Sequence, residues 1–306
     1  MTFLVEVNNI SKSFESFLAV DNVSFSLSKG EVLGFLGPNG AGKTTTMRIL
    51  TGFLKPNSGS IKINGLDLFT NLKLAREFIG YVPEGSPLYN EMTMIDFLSF
   101  ICEIRGVNKE EKLGRVINLL NLKEVLLQKI DTLSKGFKRR VGLAQALIHD
   151  PKILILDEPT DGLDPNQKHE VRKLIKKLGK EKSIIISTHI LEEVKAICNR
   201  TMILSNGRLL VDDSPNNVLK KSSSYNRLLV SVHEKTAAEL KKELMTIRKY
   251  KSVEIEGNIC SIKLNSSLES TAISEYLLKK KYTIKHFSIN KGKLEEVFRE
   301  LTNKEN

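Results

Sequence analysis

The sequence predicts an α/β fold: a mixed sheet core around a glycine-rich loop, with an antiparallel β subdomain, a helical subdomain and a small C-terminal α+β module. Three observations predict it. An apolar run, Val32 to Leu36, opens into a loop with glycines at 37, 40 and 42 and then into a helix-like pattern. Further on, "ILILD" (153–157), "SIIIST" (183–188) and "TMILSNGRLL" (201–210) are continuous apolar runs, as expected of strands covered on both faces. The last part of the chain orders its segments βαββαβ followed by a helix, the pattern of a ferredoxin-like split βαβ module.

Taken in chain order, "FLVEVNN" (3–9), "VSFSL" (23–27) and "SIKINGLDL" (60–68) read as antiparallel strands, the last with an Asn64-Gly65 turn signal. "EVLGFLG" (31–37) is the buried strand that feeds the glycine loop. From Glu84 to Asp150 the strand signal gives way to helix-period segments, "MTMIDFLSFICEIRG", "EEKLGRVINLLNL" and "FKRRVGLAQALIHD". A helical subdomain of about residues 85–150 is therefore expected between the loop and the "ILILD" strand. A polar link, "DDSPNNVLKKSSS" (212–224), ends this pattern and sets a first domain at 1–220. In 221–306 the order is strand "RLLVSVHE", helix "TAAELKKELMTI", strands "KSVEIEG" and "ICSIKLN", helix "LESTAISEYLLKKK", strand "YTIKHFSI" and helix "KLEEVFRELTN".

A chain of 306 residues suggests two domains, each large enough to bury a core. With 41% hydrophobic and 27% charged residues it reads as soluble and globular. No apolar run approaches the roughly eighteen residues of a membrane span, and Glu6 comes too early for a secretory signal, so a cytoplasmic location is expected. Three cysteines, Cys102, Cys198 and Cys260, lack metal-ligand spacing and are expected to be reduced core residues. Residues 221–306 hold 17 lysines and arginines against 11 acids, a surplus of +6 out of the chain's +11. These cations are scattered among acids, which points to a solvated surface.

The loop carries the first chemical signal. Glycines let a run of backbone N–H groups curl round a concave anion site, and the following helix aims its positive end into the same hollow. Gly37, Gly40, Gly42, Lys43 and Thr44 satisfy G-x-x-x-x-G-K-[ST], in which the lysine reaches the β- and γ-phosphates and the threonine hydroxyl binds Mg²⁺. A glycine-rich turn alone would explain the glycines but not the adjacent Lys-Thr pair. "ILILDEPTDGLDP" (153–165) supplies the second signal. Asp157 at the end of a buried strand can hold a carboxylate beside Mg²⁺, and Glu158 is placed to orient and deprotonate the attacking water.

With "LSKGFKRRVGLAQAL" (133–147) added, residues 1–220 resemble the ATP-binding cassette family, whose signature precedes the Asp-Glu strand. The resemblance implies a membrane transporter's ATP-binding and ATP-hydrolysing subunit, with ATP and Mg²⁺ as cofactors. Gly37, Pro38, Asn39, Gly40, Ala41, Gly42, Lys43, Thr44 and Thr45 would hold the nucleotide, and Thr44, Glu84 and Asp157 the metal. Lys43, Glu158 and the switch histidine His189 would act in catalysis. Ser134 and Gly136 would reach the ATP of a second cassette copy, Asp164 would couple the two sites, and Phe14 is favoured over Phe17 to stack on adenine.

Two departures stand out: Glu84 where the family usually has glutamine, and S-K-G-F in place of S-G-G-Q. Both resemble a subgroup serving exporters with separate permeases, including gliding-motility-type and drug- or polymer-export cassettes, which also carries "DGLDP" and a "LEEVF" helix (Leu294 to Phe298 here). The implied partners are a second copy and a transmembrane permease, with the chain peripheral on the inner face of the membrane. The alternative is a soluble cassette ATPase acting on nucleic acid or ribosomes. A single cassette without a long heptad run argues against it, and Tyr282 and Phe287 are too few for an RNA stacking platform, so no nucleic acid is expected.

Overall fold

A long hairpin opens the chain, because its apolar residues alternate against a sheet partner. In the computed structural model, which describes residues 3–246 and 252–303, β1 (Phe3–Phe14) and β2 (Phe17–Ser28) pair antiparallel and close with Phe14 opposite Phe17. Ile247 and Lys251, at the ends of two predicted segments, lie outside the described residues. Alternation predicted strand only at 3–9 and 23–27. Register shifts between Val7 and Ile10 and onward to Ser13 break the period of two, leaving the outer half of the hairpin without a readable pattern.

β3 (Val32–Leu36) runs into the glycine loop and α1 (Lys43–Leu50). β4 (Ser58–Ile63) and β5 (Leu66–Asp67) close over Asn64 at φ 49° and Gly65 at φ 82°, the two-residue turn that the Asn-Gly pair predicts. β1, β2, β4 and β5 form one sheet in the order β2-β1-β4-β5. After α2 (Leu72–Glu77) comes β6 (Ile79–Val82), absent from the sequence reading because four residues before a proline show no period.

The stretch expected to be helical holds α3 (Met94–Arg105), α4 (Lys109–Leu119) and α5 (Lys135–Leu147), with two short 3-10 turns between the last two. Thr93 caps α3 by accepting from Asp96 N, and Gly106 in the left-handed region ends it. Then follow β7 (Ile153–Asp157), α6 (Pro165–Leu178), β8 (Ser183–Thr188), α7 (Leu191–Ile197), β9 (Arg200–Ser205) and β10 (Arg208–Asp213). Asn206 and Gly207, both at positive φ, split "TMILSNGRLL" into the antiparallel pair β9 and β10.

The central sheet is ordered β10-β9-β3-β8-β7-β6 and is parallel except for β10. Leu33, Phe35, Ile153, Ile155 and Ile185 face one core, shared with Met47 and Ile49 of α1 and with the antiparallel sheet. Leu154, Leu156, Ile184 and Ile186 face a second core, shared with α3, α5 and α6. Both faces are covered, which is why these strands read as unbroken apolar runs.

The chain divides into two compact units, Met1–Pro215 and Asn216–Asn306. The stretch expected to be a polar link is largely ordered: Asp212 lies in β10, held by Arg200 through bonds of 2.5 and 2.6 Å, and Pro215–Lys220 forms α8. The second unit continues with β11 (Arg227–Val232), α9 (Ala237–Thr246), β12 (Val253–Glu256), β13 (Ile259–Lys263), α10 (Ser267–Lys279), β14 (Ile284–Asn290) and α11 (Leu294–Asn303). Its antiparallel sheet is ordered β12-β13-β11-β14, so β13 sits between the strands of the βαβ unit in the ferredoxin-like manner. Leu228 and Val230 of β11 pack with Leu240, Leu244, Ile273 and Leu277 of its helices, each buried side chain stabilising by about 1.5–3 kcal/mol. All three cysteines are unpaired, and Cys102 and Cys260 are buried.

Candidate functional site

The loop between β3 and α1 is shaped by close backbone approach. A Cβ on Gly37 would lie 2.6 Å from Leu204 O, and one on Gly42, at φ 96°, would lie 2.4 Å from Ala19 O. Only glycine fits at either position. α1 starts at Lys43 with no side-chain cap, and Thr46 N is the amide that bonds back to Gly42 O. Helix geometry leaves the amides of Lys43, Thr44 and Thr45 pointing out of the first turn, toward the loop's hollow. Gly42→Ala is expected to destabilise the fold by roughly 1–3 kcal/mol and to weaken triphosphate binding. Melting curves with and without added triphosphate check this; a variant melting like the wild type and equally stabilised by ligand would contradict it.

Residues 38–45 line a cavity of about 350 Å³ together with Phe17, Ala19, Glu84, Glu158, Asp161 and His189. The Lys43 ammonium donates to Gly37 O at 2.8 Å and Pro38 O at 3.1 Å and lies 3.5 Å from Glu158 Oε1. The other carboxylate oxygen of Glu158 lies 3.0 Å from His189 Nδ1. An ionised carboxylate only accepts, which places the imidazole proton on Nδ1. Burial pushes the Glu158 carboxyl above its ordinary pKa, while the His189 hydrogen bond and the Lys43 charge pull it down. Glu158 itself sits at φ 45°, a strained position for a residue with a side chain.

Asp157 is fully buried at the end of β7. Its Oδ1 accepts from Thr44 Oγ1 at 3.3 Å and from the Ser187 hydroxyl, whereas its Oδ2 is a buried oxygen with no hydrogen-bond partner among the described residues. Such an orphan acceptor beside a threonine hydroxyl fits a hard cation. Magnesium is commonly held by one or two carboxylates plus phosphate oxygens and water. Thr44 and Asp157 thus offer oxygen donors of the kind magnesium takes, and Glu84 lies on the wall of the cavity.

The remaining sequence-predicted residues lie off this cavity. Ser134 is the exposed N-cap of α5, accepting from Phe137 N at 3.3 Å, and Gly136 lies against the Gln167 side chain. Asp164 is the exposed N-cap of α6, accepting from Gln167 N at 2.9 Å. Phe14 and Phe17 are cross-strand neighbours, and it is Phe17 that borders the cavity. Phe14 carries Lys12 over its ring at 5.6 Å. Sequence reasoning passed over Ser187 and Arg139, a buried guanidinium bonded to Glu158 O at 2.9 Å. Nothing in periodicity marks either one, since their partners are distant in sequence.

A glycine loop that feeds a helix from a parallel sheet, with a buried acidic strand end beside it, defines a P-loop nucleotide-binding protein. Comparison with known proteins narrows the class. Residues 20–161 match the family described as ABC transporter, and residues 216–302 match the C-terminal domain described as ATP-binding protein DrrA1-3-like. An ABC transporter ATP-binding protein of Bacillus subtilis, YxlF, is 39% identical over 235 residues, covering 76% of this chain and 78% of the relative. The bacitracin transport ATP-binding protein BcrA of Bacillus licheniformis is 36% identical, over 77% and 78% of the two chains. The Nod factor export ATP-binding protein I of Burkholderia lata is 32% identical over 98% of this chain and 97% of its own. Among solved structures, cbiO1 from Clostridium perfringens, part of the ABC transporter complex cbiONQ, superposes with a TM-score of 0.66 at 26% identity, covering 81% and 98%. The chain belongs to the ABC transporter family as an ATP-binding subunit, and its second unit is a DrrA1-3-like C-terminal domain.

Proposed function

We propose that the chain hydrolyses ATP with Mg²⁺ in a site completed by a second copy, and that this drives export through a separately encoded transmembrane permease. The observation that carries the hydrolytic reading is the placement of Glu158, between Lys43 and His189 and one residue beyond Asp157. Glu158 accepts the proton of the attacking water, and Lys43 and the loop amides neutralise the phosphate oxygens. His189, half-exposed at the cavity and anchored by Glu158, orients toward the terminal phosphate. Thr44, Asp157 and Glu84 would hold the metal, which would supply positive charge to offset the charge developing on the transferred phosphate.

Two copies are invoked because Ser134 and Asp164 are exposed caps at helix N-termini away from the cavity of their own chain, with Gly136 in the first turn of the Ser134 helix. Such ends favour anions, so a partner's triphosphate can complete them. A permease is invoked because the chain belongs to a transporter family and resembles cbiO1, part of an ABC transporter complex; among the described residues, no helix is long and apolar enough to cross a membrane. The first unit also carries a groove of about 950 Å³ lined by Phe53, Tyr89, Phe100 and Ile104 beside Arg76 and Arg105. Export as the direction rests on the similarity to the Nod factor export ATP-binding protein, and location at the inner membrane face follows from the permease.

Ser134→Ala tests the shared site. It is expected to keep ATP affinity within about 2-fold, since the chain's own cavity is untouched, while turnover falls at least about 10-fold. Turnover per chain should also rise with protein concentration until dimers saturate. Turnover per chain that is independent of concentration, with Ser134→Ala fully active, would refute the two-copy site.

A further inference from the structure

Arg139 lies in α5, five residues beyond the cap Ser134, and is only 6% exposed. Its Nη1 donates to Ser86 Oγ at 3.0 Å and to Pro83 O at 3.4 Å, and its Nη2 donates to Glu158 O at 2.9 Å. Pro83 and Ser86 bracket Glu84, a carboxylate on the wall of the nucleotide cavity. One guanidinium therefore ties the segment bearing Glu84 to the backbone of Glu158. α5 is cut to admit this contact: a Cβ on Gly142 would lie 2.9 Å from Ser86 Oγ.

Glu158 has particular need of such a tie. At φ 45° it occupies a strained conformation for a residue with a side chain. Its amide donates to Ser187 O and Ser187 Oγ, each at 3.1 Å, and its carbonyl accepts from Arg139 and from Asp161 N at 3.2 Å. The strained residue is thus gripped on both sides, and one of the two donors to its carbonyl comes from α5, the helix that Ser134 caps. Burial disfavours the Arg139 charge, while Asp157, Glu158, Asp161 and Glu84 all favour it. A planar fork with donors on two nitrogens suits this two-way bridge better than an ammonium does.

We infer that Arg139 is a positioning residue: it sets the Glu158 backbone and the Glu84 segment in one fixed relation to the signature helix, so that both carboxylates are placed together for hydrolysis. This rests on the reading of Glu158 as the base. Arg139 is not among the residues that line the nucleotide cavity. Its loss should leave binding and remove turnover, because an error of about 1 Å in a reacting group lowers a rate on the order of 100-fold.

The test uses the full-length chain with ATP and Mg²⁺, counting competent sites by fluorescent-nucleotide titration and dividing turnover by that count. Arg139→Gln is expected to lower per-site kcat by about 10- to 100-fold with nucleotide affinity within about 3-fold of wild type. Arg139→Lys, which retains charge but not the fork, should recover part of the loss. Ser86→Ala, which removes one limb of the bridge and keeps the arginine, should lower per-site kcat by about 2- to 5-fold. A merely structural role would reduce the number of competent sites and leave per-site kcat unchanged, and that result overturns the inference. Should Arg139→Gln fail to fold, Ser86→Ala decides alone: unchanged per-site kcat overturns the proposal. A wild-type chain without turnover, or Glu158→Gln at full activity, would instead sink the hydrolytic reading, and this inference with it.

Discussion

Lys43→Ala is expected to weaken ATP binding by roughly 100-fold or more and to abolish turnover, read by fluorescent-nucleotide titration and by phosphate release. The lysine is 6% exposed, and its ammonium is already directed to the mouth of the loop by two carbonyls, Gly37 O and Pro38 O. A ligand phosphate entering there meets a preorganised cation. Hydrogen bonds to charged groups contribute about 1.5–3 kcal/mol each, and two of them correspond to about 3 kcal/mol or more, hence the factor of 100. The substitution should leave the fold largely intact, because alanine is a good helix former at the start of α1 and the glycines that shape the loop remain. A Lys43→Ala chain with unchanged affinity and turnover would contradict the assignment of the loop as the triphosphate cradle.

The legible part of this fold was the part in which local pattern and tertiary role coincide. β3, β7 and β8 are covered on both faces, so their apolar runs announce them, and the glycines at 37 and 42 are dictated by backbone contacts that admit no side chain. The βαββαβ order of the second unit was readable because its strands and helices keep clean periods between turns. β6 and the outer halves of β1 and β2 were not readable, since a four-residue strand and a bulged hairpin have no period to detect. At the site, motif spacing named the residues of the loop and the acidic strand end. It did not indicate that Asp157 Oδ2 is an orphan, that Ser187 bonds its other oxygen, or that Arg139 grips the Glu158 carbonyl. Those contacts join positions tens of residues apart, and only the fold brings them together. Phe17 illustrates the same limit: two phenylalanines three residues apart are equivalent in sequence, and the register of the hairpin decides which one borders the cavity.

Glu158→Gln should lower turnover by about 100-fold or more while preserving ATP affinity, because amide and carboxylate share a shape but only the carboxylate can take the proton of the attacking water. The neighbouring groups make the expected pH behaviour specific. Burial raises the Glu158 carboxyl above the usual glutamate range, and His189 and Lys43 counter that shift. The base works only when deprotonated, so a raised pKa moves the acidic fall-off of wild-type turnover to higher pH than an ordinary glutamate at about 4.3 would give. The variant should show no such limb in its residual rate. Binding should survive because the Lys43 ammonium keeps its two carbonyl partners and the loop amides are unaltered. If two copies close on two triphosphates, an uncleaved γ-phosphate keeps bridging the loop of one copy to the Ser134 helix of the other. Glu158→Gln with ATP and Mg²⁺ should then accumulate as a dimer in light scattering, and adding Lys43→Ala should return it to monomer. A variant that stays monomeric and hydrolyses at the wild-type rate would remove Glu158 from the chemistry. A dimer that forms without nucleotide would show that the phosphates do not hold the copies together.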